Sequence, residues 1–228
     1  MRRVIAQTSF VFAVTLLVAG CGDTGKSKSS AGAEASCSKV SPAAPQPGRQ
    51  HLTAPTQKLP AGSVWNLQFK TNCGSFTIEV DSGVSPKTAA SIVSLAKSGF
   101  YDGLSFHRLA PGFVIQGGDP AGTGLGGPGY KTVEAPPSSQ QYPRGTVAMA
   151  KGGAEPSGTA GSQFFIVTGD TAQFQPDYAV LGKVTAGLST ADLISAQPIN
   201  QSQAMGGAQD GPPLDPIVIE SVKVTRQS

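Results

Sequence analysis

Phe106-His-Arg-Leu-Ala-Pro-Gly-Phe-Val-Ile-Gln-Gly-Gly-Asp-Pro120 is the stretch on which the reading of this 228-residue chain turns. Two short apolar runs, Leu104 to Leu109 and Phe113 to Gln116, are separated by the turn formers Pro111 and Gly112. Arg108, Phe113 and Gln116 stand close together among small and apolar neighbours. A guanidinium is permanently charged, so beside apolar walls it can act on a developing lone pair or oxyanion without transferring a proton. Such chemistry does not require bond cleavage.

Working outward, Trp65, Leu67 and Phe69 alternate with Asn66, Gln68 and Lys70. Beyond Asn72-Cys-Gly74, Phe76, Ile78 and Val80 alternate with Thr77, Glu79 and Asp81, which predicts a hairpin with one buried face. Ser85 as N-cap, Pro86 at the first helical position, apolar residues at Ala89, Ile92, Val93 and Ala96, and Gly99 as terminator predict an amphipathic helix. Further short apolar runs follow at Thr146 to Ala150, Phe164 to Thr168, Ala179 to Val184 and Ile217 to Val224, and Ser189 to Ala196 predicts a second short helix with Ser189 as its N-cap. With 29 glycines, 18 prolines and 14% charged residues, the composition favours a loop-rich β domain over a helical bundle. Six to eight short strands fit a sandwich or a barrel, and the pattern does not choose between them.

The N-terminus has the form of an export signal over residues 1–20: Arg2 and Arg3 are followed by an apolar run, Phe10 to Gly20, well short of the roughly 20 residues of a membrane span. Leu17-Val-Ala-Gly-Cys21 resembles the lipobox of bacterial lipoproteins, which implies acylation of Cys21 and attachment to a membrane through lipid. A twin-arginine route is the alternative, but Arg2-Arg3-Val-Ile lacks the rest of that pattern. From Gly22 to about Pro60 the chain is Gly, Ser, Ala, Pro, Thr and Gln with scattered lysines, so a flexible tether is expected over 21–62 and a folded domain over 63–228. Cys37 and Cys73 either pair, as an oxidising compartment allows, or remain free thiols. The 17 Lys and Arg fall to 15 once Arg2 and Arg3 leave with the signal, against 14 Asp and Glu, so neither a nucleic acid nor a polybasic membrane contact is indicated.

Three further blocks complete the pattern: Val147-Ala-Met-Ala150, Gly161-Ser-Gln-Phe-Phe-Ile166 and Tyr178-Ala-Val-Leu-Gly-Lys-Val184. With the Phe106 to Pro120 stretch, in this order and spacing, they resemble the cyclophilin family of peptidyl-prolyl cis/trans isomerases over about residues 63 to 226. The resemblance implies a mostly β fold, a closed eight-stranded antiparallel barrel capped by two α-helices, with the active face on the outside of one wall. It implies no cofactor and, as substrate, proline-containing unfolded or extended segments, here of exported proteins; a monomer is expected. Arg108 matches the arginine that donates to the prolyl nitrogen, Gln116 the glutamine that orients it, and His107 stands beside them in the catalytic set. Phe113, Val114, Phe165 and Phe174 match the apolar socket for the proline ring, whereas Phe164, on the opposite strand face, is expected in the core. Ala150, Lys151 and Gln163 match positions along the substrate backbone.

Departures accompany the match. Gln173 stands where cyclosporin-sensitive relatives carry tryptophan, Tyr178 where the family has histidine, and Lys151 where asparagine is common, and the loop between Met149 and Ser162 is three residues longer. These changes put drug affinity and substrate preference in question, not the isomerisation. A proline-peptide binding or chaperone module with little turnover is the alternative, although binding alone does not require Arg108. A hydrolase built on Ser162 or Ser105 lacks a G-x-S-x-G context and a suitable histidine. Gly122-Thr-Gly-Leu-Gly-Gly127 formally matches a nucleotide loop, but Gly129, Pro136 and Pro137 follow in place of a helix, so a mobile glycine loop bordering a groove is expected. No histidine or cysteine spacing resembles a zinc site.

Overall fold

The structure, a computed structural model, describes residues 36–170, 172–204 and 209–227. The expected signal sequence, the expected acylation site at Cys21 and the first part of the expected tether lie outside the described residues.

The first hairpin forms as its alternation dictates. Strands β1 (Val64–Thr71) and β2 (Gly74–Asp81) pair antiparallel with Thr71 opposite Gly74, so one face carries Trp65, Leu67, Phe69, Phe76, Ile78 and Val80 into the core. Helix α1 (Pro86–Lys97) follows, but Ser85 makes no side-chain cap. The Glu134 carboxylate takes that role from a distant loop, accepting the Lys87 and Thr88 N–H groups at 3.0 and 2.8 Å and placing negative charge at the positive end of the helix.

Six strands continue the main sheet: β3 (Phe106–Ala110), β4 (Val114–Gly117), β6 (Thr146–Met149), β8 (Phe164–Val167), β9 (Val180–Ala186) and β10 (Ile219–Arg226). Two residues each of β5 (Thr132–Val133) and β7 (Thr159–Ala160) make a separate ribbon that no sequence pattern announced. Helix α2 (Leu188–Ser195) starts one residue ahead of its expected position and is preceded by Gly187, not capped by Ser189. Gly187 has φ +73°, and a Cβ there would lie 2.2 Å from the Ser75 carbonyl oxygen, so neither the conformation nor the space admits a side chain.

The order β10-β1-β2-β9-β6-β8-β4-β3 is antiparallel throughout and forms an open half-barrel, which corrects the expectation of a closed one. The edge strands β3 and β10 do not form a ladder; among the described residues, isolated bridges Ser105↔Val218 and Leu109↔Gly211 span the gap. Between these bridges Pro212, Pro213 and Pro216 have no N–H to donate to a ladder, and Pro212 and Pro213 pair instead with Asn200 and Ile199.

Alternation on β4, β6 and β8 sends side chains into two apolar layers. The inner one holds Ile115, Val147, Met149, Phe164 and Ile166 with the first hairpin and α1, and Phe164 packs there against Phe69, Tyr101 and Phe106. The outer one is built on Ala110, Val114, Tyr142, Ala148, Phe165 and Val167. Buried side chains on both faces explain why these strands read as unbroken apolar runs.

Over its described part the chain ahead of β1 is held against the domain, where a flexible tether was expected. Cys37 is disulfide-bonded to Cys73 in the β1–β2 turn. Gln46 N–H donates to the Pro120 carbonyl at 2.8 Å, Leu52 N–H to Pro128 at 2.8 Å, and the Arg49 guanidinium to the carbonyls of Phe100 and Asp102 at 2.6 and 2.8 Å. The composition argument weighed apolar burial alone, and this strap is held by a covalent bond and by polar contacts.

Candidate active site

The site begins at the cross-strand pair Arg108↔Gln116 of β3 and β4. Arg108 Nη1 donates to Gln116 Oε1 at 3.1 Å, Gln116 Nε2 donates to Gln163 Oε1 at 3.0 Å, and Gln163 Nε2 donates to the carbonyls of Gly124 and Gly126 at 2.9 and 2.8 Å. One polar chain thus runs from the guanidinium to the glycine loop. The loop borders the groove as expected, and the buried Asp119 carboxylate holds its start, accepting the N–H groups of Ala121, Thr123 and Gly124 at 2.7, 2.9 and 2.6 Å. Gly118, with φ +86°, lets β4 close on Ser162; a Cβ there would stand 2.6 Å from the Ser162 carbonyl oxygen. The Ser162 hydroxyl is buried and donates to the Gly118 carbonyl at 2.7 Å, so it is committed to the scaffold and is no nucleophile.

Beside this chain the outer apolar layer forms an aromatic wall. Phe174 lies nearly parallel to Phe113 and to Phe165, with centroids 4.7 and 5.3 Å apart, and Tyr178 meets Phe165 edge-on at 5.3 Å. Val114 is buried beneath them. Tyr142 was missed in the sequence; its hydroxyl donates to the Tyr178 carbonyl at 2.7 Å and accepts the Tyr178 N–H at 3.0 Å, fixing that ring, and burial pushes its own phenol pKa up. Phe165 pairs with Gln116 in the β4–β8 register, so wall and polar chain share an edge. A groove of about 780 Å³ continues past Gln116, Ala150, Lys151 and Gln163 toward Lys131 and Glu155.

His107 and Lys151 are both held close within the structure. His107 is the extra residue of a β-bulge, where pairing passes from Phe106↔Gly117 to Arg108↔Gln116. Its ring is buried against Gly124, neither nitrogen has a hydrogen-bond partner among the described residues, and burial holds its pKa below the usual value. Burial favours the uncharged imidazole and encloses the ring beside Arg108. Lys151 lines the groove, but its ammonium is spent on Asp177 at 2.6 Å and on the Glu155 carbonyl at 3.1 Å, over the face of Tyr178. With the Lys131–Glu155 ion pair, these contacts brace the longer loop and leave only the Lys151 backbone for a ligand. Ala150 N–H is likewise taken, by the Gln163 carbonyl at 2.9 Å.

Asp210 was also missed. It lies 102 residues from Arg108 and grips it in two places, Oδ1 accepting from Nε at 2.8 Å and Oδ2 from Nη2 at 2.6 Å. No local motif marks such a pair.

A half-barrel bearing an arginine fixed by a glutamine, beside an aromatic wall and an open groove, offers a surface suited to an extended apolar peptide. The family model described as cyclophilin type peptidyl-prolyl cis-trans isomerase/CLD matches residues 66–224. The peptidyl-prolyl cis-trans isomerase of Helicobacter pylori is 41% identical over 137 residues, covering 59% of this chain and 82% of that protein. The peptidyl-prolyl cis-trans isomerase B of Bacillus subtilis is 47% identical over 111 residues, covering 48% of this chain and 76% of the relative. The Mycobacterium tuberculosis protein named probable peptidyl-prolyl cis-trans isomerase B is 38% identical, and the chain spans 53% of its length. Among solved structures, a Cryptosporidium parvum cyclophilin type isomerase crystallised in the presence of the dipeptide Ala-Pro aligns with TM-score 0.62 and 31% identity, covering 70% of this chain and 98% of the other. The chain belongs to the cyclophilin-type peptidyl-prolyl cis-trans isomerase family, and its activity is the cis/trans isomerisation of peptidyl-prolyl bonds.

Proposed function

We propose that the chain is a lipid-anchored, extracytoplasmic isomerase that acts as a monomer on X-Pro bonds of exported proteins, with Arg108 as its principal catalytic residue. The observation that carries the assignment of Arg108 is its hydrogen bond to Gln116, the residue that pairs on its other side with Phe165 of the aromatic wall. An amide resists rotation by about 18–20 kcal/mol because the nitrogen lone pair is shared with the carbonyl. In the twisted state that lone pair is localised on nitrogen, and a fixed cationic donor favours this state over both planar ground states. Phe113, Val114, Phe165 and Phe174 hold the proline ring, Tyr178 supports Phe165, and Gln163 with the backbone of Ala150 and Lys151 guides the chain on either side. No cofactor takes part. The dipeptide Ala-Pro present with the Cryptosporidium relative supports a proline-bearing ligand.

Export is supported by the sequence from Arg2 to Cys21 and by the Cys37–Cys73 disulfide, a bond that persists in oxidising compartments. Two experiments test the proposal. Arg108→Lys should fail to restore exchange on an Ala-Pro peptide measured by NMR, because a point ammonium lacks the planar fork that reaches nitrogen while bonded to Gln116; a lysine variant with the wild-type rate refutes the mechanism. Cys21→Ala should release the protein from the membrane fraction, and unchanged fractionation refutes the anchor.

A further inference from the structure

The guanidinium of Arg108 has five N–H donors, and three are engaged: Nε and Nη2 on Asp210, Nη1 on Gln116. A single neutral acceptor at 3.1 Å leaves a long side chain free to pivot about that contact. A carboxylate gripping a second edge removes the pivot, since two parallel bonds fix both the plane and the rotation of the fork. Asp210 is itself placed by the backbone: the next residue, Gly211, exchanges both of its hydrogen bonds with Leu109, at 2.8 and 3.1 Å, so residues 108 and 210 lie diagonally across this antiparallel bridge, within reach of long side chains. The two side chains are about three-quarters buried, where a charged pair is screened less than at the surface.

We infer that Asp210 is a positioning residue of the isomerase site: it holds Arg108 so that the two remaining N–H groups are presented at a fixed angle to the bound X-Pro unit. The bridge between Leu109 and Gly211, a remnant of the ladder that would have closed the barrel, supplies the site with its carboxylate. The same bond draws charge from the fork, so Asp210 also sets how strongly Arg108 holds planar carbonyls in the ground state. This inference rests on the role assigned to Arg108.

The test is a double-mutant cycle on the full chain, with exchange rate and affinity for an Ala-Pro peptide measured by NMR and folding checked by thermal melting. Asp210→Ala should lower the exchange rate by about 10- to 100-fold, the loss expected from misdirecting a catalytic group, with much less change in peptide affinity. Asp210→Asn, which keeps the volume but only one acceptor, should fall in between, and Asp210→Glu should recover part of the rate. In the Arg108→Ala background, Asp210→Ala should have almost no further effect. An Asp210→Ala rate equal to or above wild type, or a loss of the same size in the Arg108→Ala background, overturns the inference while leaving Arg108 in its role. An Arg108→Ala protein with the wild-type rate overturns the catalytic reading and the inference with it.

Discussion

Replacing both Cys37 and Cys73 by serine should lower stability by about 4 kcal/mol. The two residues are 36 apart in sequence, and the chain-entropy relation for a closed loop of that size gives about 13 cal/mol/K, or about 4 kcal/mol near 25 °C. The loss falls on the unfolded state. In the folded protein the strap keeps its contacts from Ser38, Gln46, Arg49 and Leu52 to the domain whether or not the sulfurs are joined. For a domain of this size each kcal/mol moves the melting temperature by about 2–4 °C, so a drop of about 8–16 °C is expected. Urea unfolding of oxidised wild type and the double serine variant measures the difference, and the variant's m-value should rise slightly because its unfolded chain is less compact. The exchange rate should be almost unchanged, since neither cysteine contributes to the site. Identical midpoints would show that the strap and the β1–β2 turn are already close in the unfolded ensemble, and would refute the entropy argument.

Three further outcomes follow from single residues. The folded His107 has a pKa below its unfolded value, so the unfolded chain binds the extra proton, and the stability present above the unfolded pKa is lost as pH falls through about 6.5 and below; His107→Phe should flatten this loss in melts between about pH 8 and 5. Gly118→Ala should destabilise by about 1–3 kcal/mol, from a positive φ and a clash with the Ser162 carbonyl, and should slow exchange by shifting Gln116; a melt and rate equal to wild type contradict the placement. Gln173 is exposed on the loop carrying Phe174, so Gln173→Trp should tighten cyclosporin binding measured by titration, and equal affinity would show the alignment there to be displaced.

Much of the fold was legible because it rests on local pattern. The period-two alternation of β1 and β2, the Ser85-Pro86 start and the apolar spacing of α1 each involve neighbours in sequence, and each element formed where its pattern placed it. What escaped depends on distant pairing. Glu134 caps α1 from 46 residues away, Asp210 reaches Arg108 across 102, and the strap's polar contacts have no periodicity. The gap between β3 and β10 is similarly nonlocal, because the segment of Pro212 and Pro213 turns to Ile199 and Asn200, a pairing that no local pattern announces. In the site, motif spacing identified Arg108, Gln116 and the aromatic wall, but spacing carries no information on which partner consumes a side chain. Lys151, matched to a position along the substrate backbone, has its ammonium held by Asp177; His107, read beside Arg108, is a buried bulge residue.

The mechanism turns on whether Arg108 favours the twisted prolyl bond over the planar one. Exchange rate and dissociation constant for one Ala-Pro peptide, measured by NMR on wild type and Arg108→Ala in the same buffer, separate the two. The expected result is a rate loss of about 10²–10³, as for removal of one preorganised donor, with a much smaller change in affinity. Because a guanidinium does not titrate near neutrality and the buried imidazole stays neutral, the wild-type rate should also be nearly flat from about pH 6 to 9. An Arg108→Ala protein that keeps more than about a third of the wild-type rate, or one whose rate and affinity fall by the same factor, would contradict the account.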